Sequence, residues 1–456
     1  VITERGMIAR HAGTVLAGQF AVMAFGVTDT IVAGRYAQGA LAALSVGSAI
    51  YISVFVSLIG GLQALLPVWA ELHGARRESE VGRSVRQSLY LCGGAIVLGM
   101  AVLLMPGALL RWTDVPDAMR GDVENYLCVL AFALAPALLF RLFSTLNQGL
   151  GKPKLVTWVQ MAALVLKVPL SIWFTFGGAG LPAMGVVGCG WATLVVNWGM
   201  FALALWLLRT QAFYRTYGLW ARIEAPDWQQ LRRFARLGVP GGLSVLVEVT
   251  SFTLMALFIA RLGTAAAAAH QIASNLTAVA YMVPLSLGIA TSARVSYWLG
   301  AGDPAQARHT CARGFELTLG CALVIALLMA TLRGQLAGVY SNDPAVMALA
   351  TTLLLATAVY HLADATQTLC VFVLRCYRVT VAPLLLYCTL LWGVGLGGSY
   401  LLAYRGLGPW TAMQSPLAFW LMGAAALALT ALLFAALLWH TVRRSRPLQP
   451  GPAAPA

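Results

Sequence analysis

Three carboxylates stand inside long apolar stretches: Asp29 in VTDTIVAGR, Glu248 in SVLVEVTSF and Asp364 in YHLADATQ. On insertion scales a charged group at the centre of a membrane helix costs about 2.5–3.5 kcal/mol, so such acids persist where they face a protein interior or a water-filled path. The chemistry they offer is the capture of a cation or of a proton. Tyr360 precedes Asp364 by four residues, so on a helix the two project from one face and can share an ion. Carboxylate and phenol oxygens suit a hard cation such as sodium. The same acids can instead carry protons, because burial disfavours the charged carboxylate. The residue types leave both ions open and call for no cofactor beyond the coupling ion.

Other polar groups in the apolar runs are weaker signals. Gln271 and Asn275, again four apart, are candidates for lining a substrate cavity or for hydrogen bonding between helices. His270 and His361 have Ala-rich neighbours and no paired ligand spacing, and read as satisfied structural histidines. The eight cysteines lack CxxC or His-flanked zinc spacing and read as free thiols in apolar packing, so no metal site is expected. There is no HExxH, no GxSxG with suitable partners and no P-loop, and the chain is not expected to be an enzyme.

The elements that must position these groups follow from composition. Of 456 residues, 60% are hydrophobic and 10% charged, with mean hydropathy +0.78, and the apolar runs are long enough to cross a bilayer. Twelve spans are expected, centred near residues 20, 55, 95, 135, 165, 195, 245, 282, 320, 360, 391 and 429. The fold class is an all-α membrane protein with no soluble domain. The first apolar run is too long for a cleavable signal peptide and lacks a small-residue cleavage site.

The net charge of +14 raises the question of nucleic acid, but its distribution answers it. With the N-terminus inside, twenty-two of the thirty Lys and Arg residues fall on inner loops and tails, among them Arg375 and Arg378; six fall outside, and Arg141 and Lys167 lie within helices. That bias places both termini in the cytoplasm. The charge orients the chain in its lipid and needs no nucleic-acid partner.

The chain is also duplicated. A shift of 226 residues pairs Arg35 with Arg261, Gly74 with Gly300, Asp117 with Asp343, and Gly180-Leu181 with Gly406-Leu407. Two bundles of six helices, related by a pseudo-twofold axis along the membrane normal, follow from the even count. The expected divisions are an N-terminal lobe 1–208, a linker 209–236, a C-terminal lobe 237–442 and a disordered cytoplasmic tail 443–456. In the linker, EAPDW and the amphipathic QQLRRFARLG suggest a helix lying at the membrane surface. Gly and Pro inside spans, as in LIGGLQALLP and VPGGLS, are tolerated more readily in membrane helices than in soluble ones.

Several longer stretches together resemble the multidrug and toxic compound extrusion (MATE) family, in its NorM-like branch. They are VTDTIVAGRYAQGALAALSVG, PVWAELHGARRESEVGRSVRQ, AAHQIASNL, VPLSLGIATSARVSYWLGAGD, GLGKPK, GVVGCGWAT and YHLADATQ. The resemblance covers the chain from about Ile8 to Trp439. It implies a monomeric twelve-helix exporter in the inner membrane that expels amphipathic, often cationic compounds in exchange for sodium ions or protons by alternating access. It also implies that Glu248, Asp364 and Tyr360 hold the coupling cation, that Asp29 is the first-helix acid, and that Thr193 lies at the polar site of the N-terminal lobe. An alternative within the superfamily is a lipid-linked sugar flippase. An intramembrane enzyme or a channel fits the residues less well.

Two helices depart from the family pattern. Where the fifth helix of relatives carries amide or acid side chains near the first-helix acid, this chain has Lys167 and Ser171, and in place of a first-helix proline it has Thr14. An unpaired ammonium in a span is costly, so the resemblance implies an Asp29–Lys167 pair in which lysine stands where a cation would bind. The N-terminal lobe would then be a fixed structural element, or a proton switch opened by protonation of Asp29.

Overall fold

The computed structural model of the chain describes residues 3–107, 110 and 116–444. Among the described residues, twelve helices are long and apolar enough to cross a membrane: α1 (Glu4–Tyr36), α2 (Gly39–Gly74), α3 (Glu78–Leu104), α4 (Asp117–Gly149), α5 (Lys154–Phe176), α6 (Val186–Thr210), α7 (Trp228–Ala260), α8 (Thr264–Gly300), α9 (Pro304–Thr331), α10 (Pro344–Cys376), α11 (Val381–Arg405) and α12 (Pro416–Arg444). The shortest has 23 residues, above the roughly 20 that a 1.5 Å rise needs to cross the hydrocarbon core. Among the described residues there is no strand, only isolated bridges between Gly178 and Leu181 and between Leu407 and Trp410. Each bridge closes a turn just after its helix, and the glycines that end α5 and α11, Gly177 and Gly406, both adopt positive φ, at 78° and 85°. The turns correspond as Gly178 to Leu407 and Leu181 to Trp410, so the pairing of Gly180-Leu181 with Gly406-Leu407 is not kept there, although both halves turn in the same way.

Two compact units form, and their boundaries differ from those of the expected lobes. One comprises residues 14–242 and the other residues 1–13 together with 243–456. The first turns of α1 thus belong with the C-terminal helices, and the first turns of α7 with the N-terminal ones. In the first unit, a Cβ on Gly61 would lie 3.1 Å from the Gly238 carbonyl oxygen, and one on Gly242 would lie 2.8 Å from that of Ser57. Glycine is required at this crossing of α2 and α7 because two backbones touch there.

The segment expected as a surface-lying helix is continuous with α7, which runs unbroken from Trp228 to Ala260. Its amphipathic pattern arises because Phe234 and Leu237 are buried in the first unit while the neighbouring arginines stay outside. Before it, a 3-10 turn (Ala212–Tyr217) and an extended strap lead back along α3. Arg86 donates to both Glu224 oxygens and to the Gly218 carbonyl, Gln87 exchanges hydrogen bonds with Ala225 and Asp227, and Tyr90 donates to the Glu224 carbonyl. The guanidinium of Arg86 holds the Glu224 carboxyl at about 2, well below the usual range. Residues 445–456 of the expected tail lie outside the described residues. The cysteines in the described chain are free thiols.

Candidate functional site

In the unit of residues 14–242, α5 presents Lys167, Ser171 and Thr175 at four-residue spacing on one buried face. All three are fully buried. The facing helix α6 comes close because Gly188 has no side chain; a Cβ there would lie 2.5 Å from the Phe174 carbonyl group. Asp29 of α1 enters the same place, and its carboxylate lies 2.7 Å from the Lys167 Nζ. The ammonium uses all three of its protons: it donates to Asp29, to Thr193 Oγ1 at 2.8 Å and to the Cys189 carbonyl oxygen at 3.2 Å. Ser171 Oγ donates at 2.9 Å to Asp29 Oδ1, the oxygen 2.7 Å from the Lys167 Nζ, while the lysine's hydrogen bond at 2.9 Å goes to Oδ2. Thr193 passes its own proton to the Cys189 carbonyl oxygen at 3.0 Å, which leaves its lone pairs for the lysine. The pair is buried, and every proton of the ammonium has an acceptor.

The other unit holds a different arrangement. Asp364 of α10 is buried, and it accepts from Gln367 Nε2 at 2.9 Å. Gln367 also contacts Thr368 Oγ1 at 3.2 Å and accepts from the Tyr387 hydroxyl of α11. Glu248 of α7 is half-buried and lies within coulombic range of Asp364. Tyr281 of α8 lies within range of both acids and beside Thr368. Tyr360 feels both carboxylates, and its ring packs edge-on against Phe252 and Trp420, with centroids 6.0 and 5.4 Å away. Four helices thus bring oxygen-bearing side chains around two acids, and neither acid forms an ion pair among the described residues.

Four members of this cluster carry no strong mark in the sequence. Gln367 is three residues from Asp364 and was visible as part of ADATQ, whereas Tyr281 and Tyr387 are single tyrosines in apolar runs. Arg375 reads as an inner-loop cation but is buried in the last turn of α10, over the Phe372 ring and within coulombic range of Glu248. Phe372 to Cys376 are all buried at the end of α10, which takes the guanidinium inside.

The histidines divide. His270 is satisfied, by Trp420 Nε1 and Ser274 Oγ at 3.2 Å each. His361, read as equally satisfied, is fully buried with no hydrogen-bond partner at either ring nitrogen among the described residues. Gln271 donates to Asn275 at 3.1 Å on the exposed face of α8, a bond within one helix rather than between two. No group of three or more His, Cys, Asp or Glu suited to a metal occurs among the described residues.

The MatE family model matches residues 15–173 and 240–401, once in each half. This chain belongs to the MATE family. Its NorM-like branch is shown by the probable multidrug resistance protein NorM of Aromatoleum aromaticum, 38% identical over 98% of this chain and 96% of that protein. The multidrug resistance protein PmpM of Pseudomonas aeruginosa is 35% identical over 88% of this chain and 83% of its own length. Among solved structures, the eukaryotic MATE transporter AtDTX14 superposes with a TM-score of 0.85 over 97% of this chain and 98% of its own, at 17% identity, which shows the MATE fold. The Vibrio cholerae MATE transporter VcmN in its bent form gives a TM-score of 0.82 over 96% of this chain and 97% of its own, also at 17% identity.

Proposed function

We propose that this MATE protein exports amphipathic, often cationic compounds across the inner membrane in exchange for sodium ions or protons, by alternating access. The observation that carries the reading is the acid cluster of the C-terminal helices. Glu248 and Asp364 repel one another, and a cation or proton that enters between them relieves the repulsion. Tyr360, Tyr281 and the Gln367–Tyr387 bridge supply neutral oxygens around the entering ion. The names of relatives as multidrug resistance proteins support the substrate class. Gln271 and Asn275, exposed on α8, are proposed substrate contacts.

In this scheme the ion that enters from outside stabilises one arrangement of the chain and the departing compound the other, so each is exchanged for the other. Both termini and the strap before α7 face the cytoplasm, as the basic bias requires. The chain acts as a monomer in its lipid, with no cofactor other than the coupling ion. The test is uptake of a cationic dye into proteoliposomes under imposed sodium and proton gradients, with a lipid-scrambling assay alongside. Dye movement that follows one gradient, without scrambling, is expected. Scrambling of lipid-linked sugar without dye movement would favour a flippase and overturn the reading.

A further inference from the structure

The division between the two units falls inside α1, at Gly13, so one helix is shared: its first ten residues pack with α8 and α9, and the remainder, with Asp29, belongs to residues 14–242. The shared end is held by a buried carboxylate. Arg294 of α8 grips Glu4 with both forks, Nη2 to Oε1 at 2.7 Å and Nε to Oε2 at 3.2 Å. Trp298 Nε1 donates to the same Oε1 at 2.7 Å, and the Thr310 hydroxyl of α9 contacts it at 3.3 Å. The Arg294 guanidinium in turn lies over the Tyr297 and Trp298 rings, 5.4 Å from each centroid. Only 7% of the Glu4 side chain remains exposed.

This carboxylate is not serving its own helix. The free N–H of Gly6 is already capped by Thr3 Oγ1 at 3.3 Å, whereas Glu4 turns outward to two other helices. Bidentate, charge-assisted geometry of this kind is directional and therefore either made or broken. Next to it, Arg5 pairs with Glu316, which Arg313 also binds at 2.8 Å; one and two turns on, Ile8 and Ala12 pack on Leu287 and Ala290. By the repeat, the counterpart of this end is the start of α7, which is held by the touching backbones of Gly61 and Gly238 instead.

We propose that Glu4 is a conformational latch: its capture by Arg294, Trp298 and Thr310 holds the start of α1 on α8 and α9, and its release frees that end to rearrange. The idea rests on the alternating-access reading above, in which helix ends at one side of the membrane change partners during the cycle.

Hydrogen exchange of the whole chain in lipid nanodiscs tests the latch without reference to transport. Glu4→Gln and Arg294→Gln should each speed exchange of residues 4–13 about tenfold or more, while residues 20–36 of the same helix stay protected. The double variant should be no faster than the faster single, since both remove one interaction. Unchanged exchange in residues 4–13, or additive effects in the double, would overturn the latch. If Glu4→Gln speeds exchange throughout the chain, Thr310→Val decides: a two- to threefold rise confined to residues 4–13 supports the latch, and no change overturns it. Failure of dye export would bear on the transport reading and leave the exchange result standing.

Discussion

Both units of this chain bury acids within their helices, and they neutralise them in opposite ways. Asp29 is matched by a lysine of its own unit, whose three protons all reach acceptors and whose side chain is wholly out of solvent. Glu248 and Asp364 have no such cation bound to them; Arg375 is within coulombic range of Glu248 but forms no ion pair among the described residues. The difference teaches that a carboxylate in a span is not by itself a binding site. What matters is whether its countercharge is tethered or must be recruited from outside.

The largest expected effect separates stability from transport. Asp29→Asn leaves the Lys167 ammonium buried beside a neutral amide, and should cost about 3–5 kcal/mol, read as a large fall in melting temperature in detergent. Glu248→Gln and Asp364→Asn remove a repulsion rather than a partner. They should leave the melting temperature nearly unchanged or raised, while gradient-driven dye export is abolished. Equal losses of stability in all three variants would erase the distinction between the two regions.

A second substitution would convert one region into the other. Lys167→Asn replaces the tethered cation by an amide and leaves Asp29 with Ser171 and Thr193 as neutral neighbours. The variant should gain a sodium-dependent rise in melting temperature that the parent lacks in this unit. Titration with sodium and then with potassium at equal ionic strength checks it, and no sodium-specific rise would count against the idea that lysine stands in for an ion.

The fold was legible because each signal was long. Apolar runs of more than twenty residues leave one structural option in lipid, and a 226-residue repeat indicates two similar halves. The Asp29–Lys167 contact was legible through the resemblance, which placed a cation where relatives have an amide. The remainder of the C-terminal cluster was not. Tyr281 and Tyr387 come from helices remote in sequence, and nothing in their neighbours distinguishes a tyrosine facing an acid from one facing lipid. Arg375 was misplaced because a basic residue near a span end is ordinarily outside it, and only the packing of α10 shows that this one is not. The strap and the start of α7 were misread for a related reason: an amphipathic stripe looks the same whether its apolar side meets lipid or protein.

A smaller effect sharpens the account of the C-terminal cluster. Tyr387→Phe removes the donor to Gln367 Oε1 and should cost about 1 kcal/mol of stability, with a several-fold weaker response to the coupling ion. A melting curve and an ion titration on the same preparation separate the two. Unaltered ion response would place Tyr387 outside the site.

The smallest effect lies outside the membrane spans. Glu224 is held at about 2 by Arg86, so its contribution to strap docking is complete above the ordinary carboxyl range near 4.5 and falls away only as pH drops toward 2. Proteolysis of the strap should therefore be flat from pH 8 to 5 and rise in more acidic buffer, while Glu224→Gln should show faster cleavage across the whole range. A parent strap that loosens between pH 8 and 5 would refute this assignment.

The most direct test of the central claim is gradient-driven dye export by a chain carrying Asp29→Asn together with Lys167→Met, measured in proteoliposomes beside Glu248→Gln under both sodium and proton gradients. If the N-terminal pair is a tethered, structural neutralisation, the double variant folds and exports at close to the parent rate, whereas Glu248→Gln does not export. Loss of export in a folded double variant, with export retained in Glu248→Gln, would contradict the account.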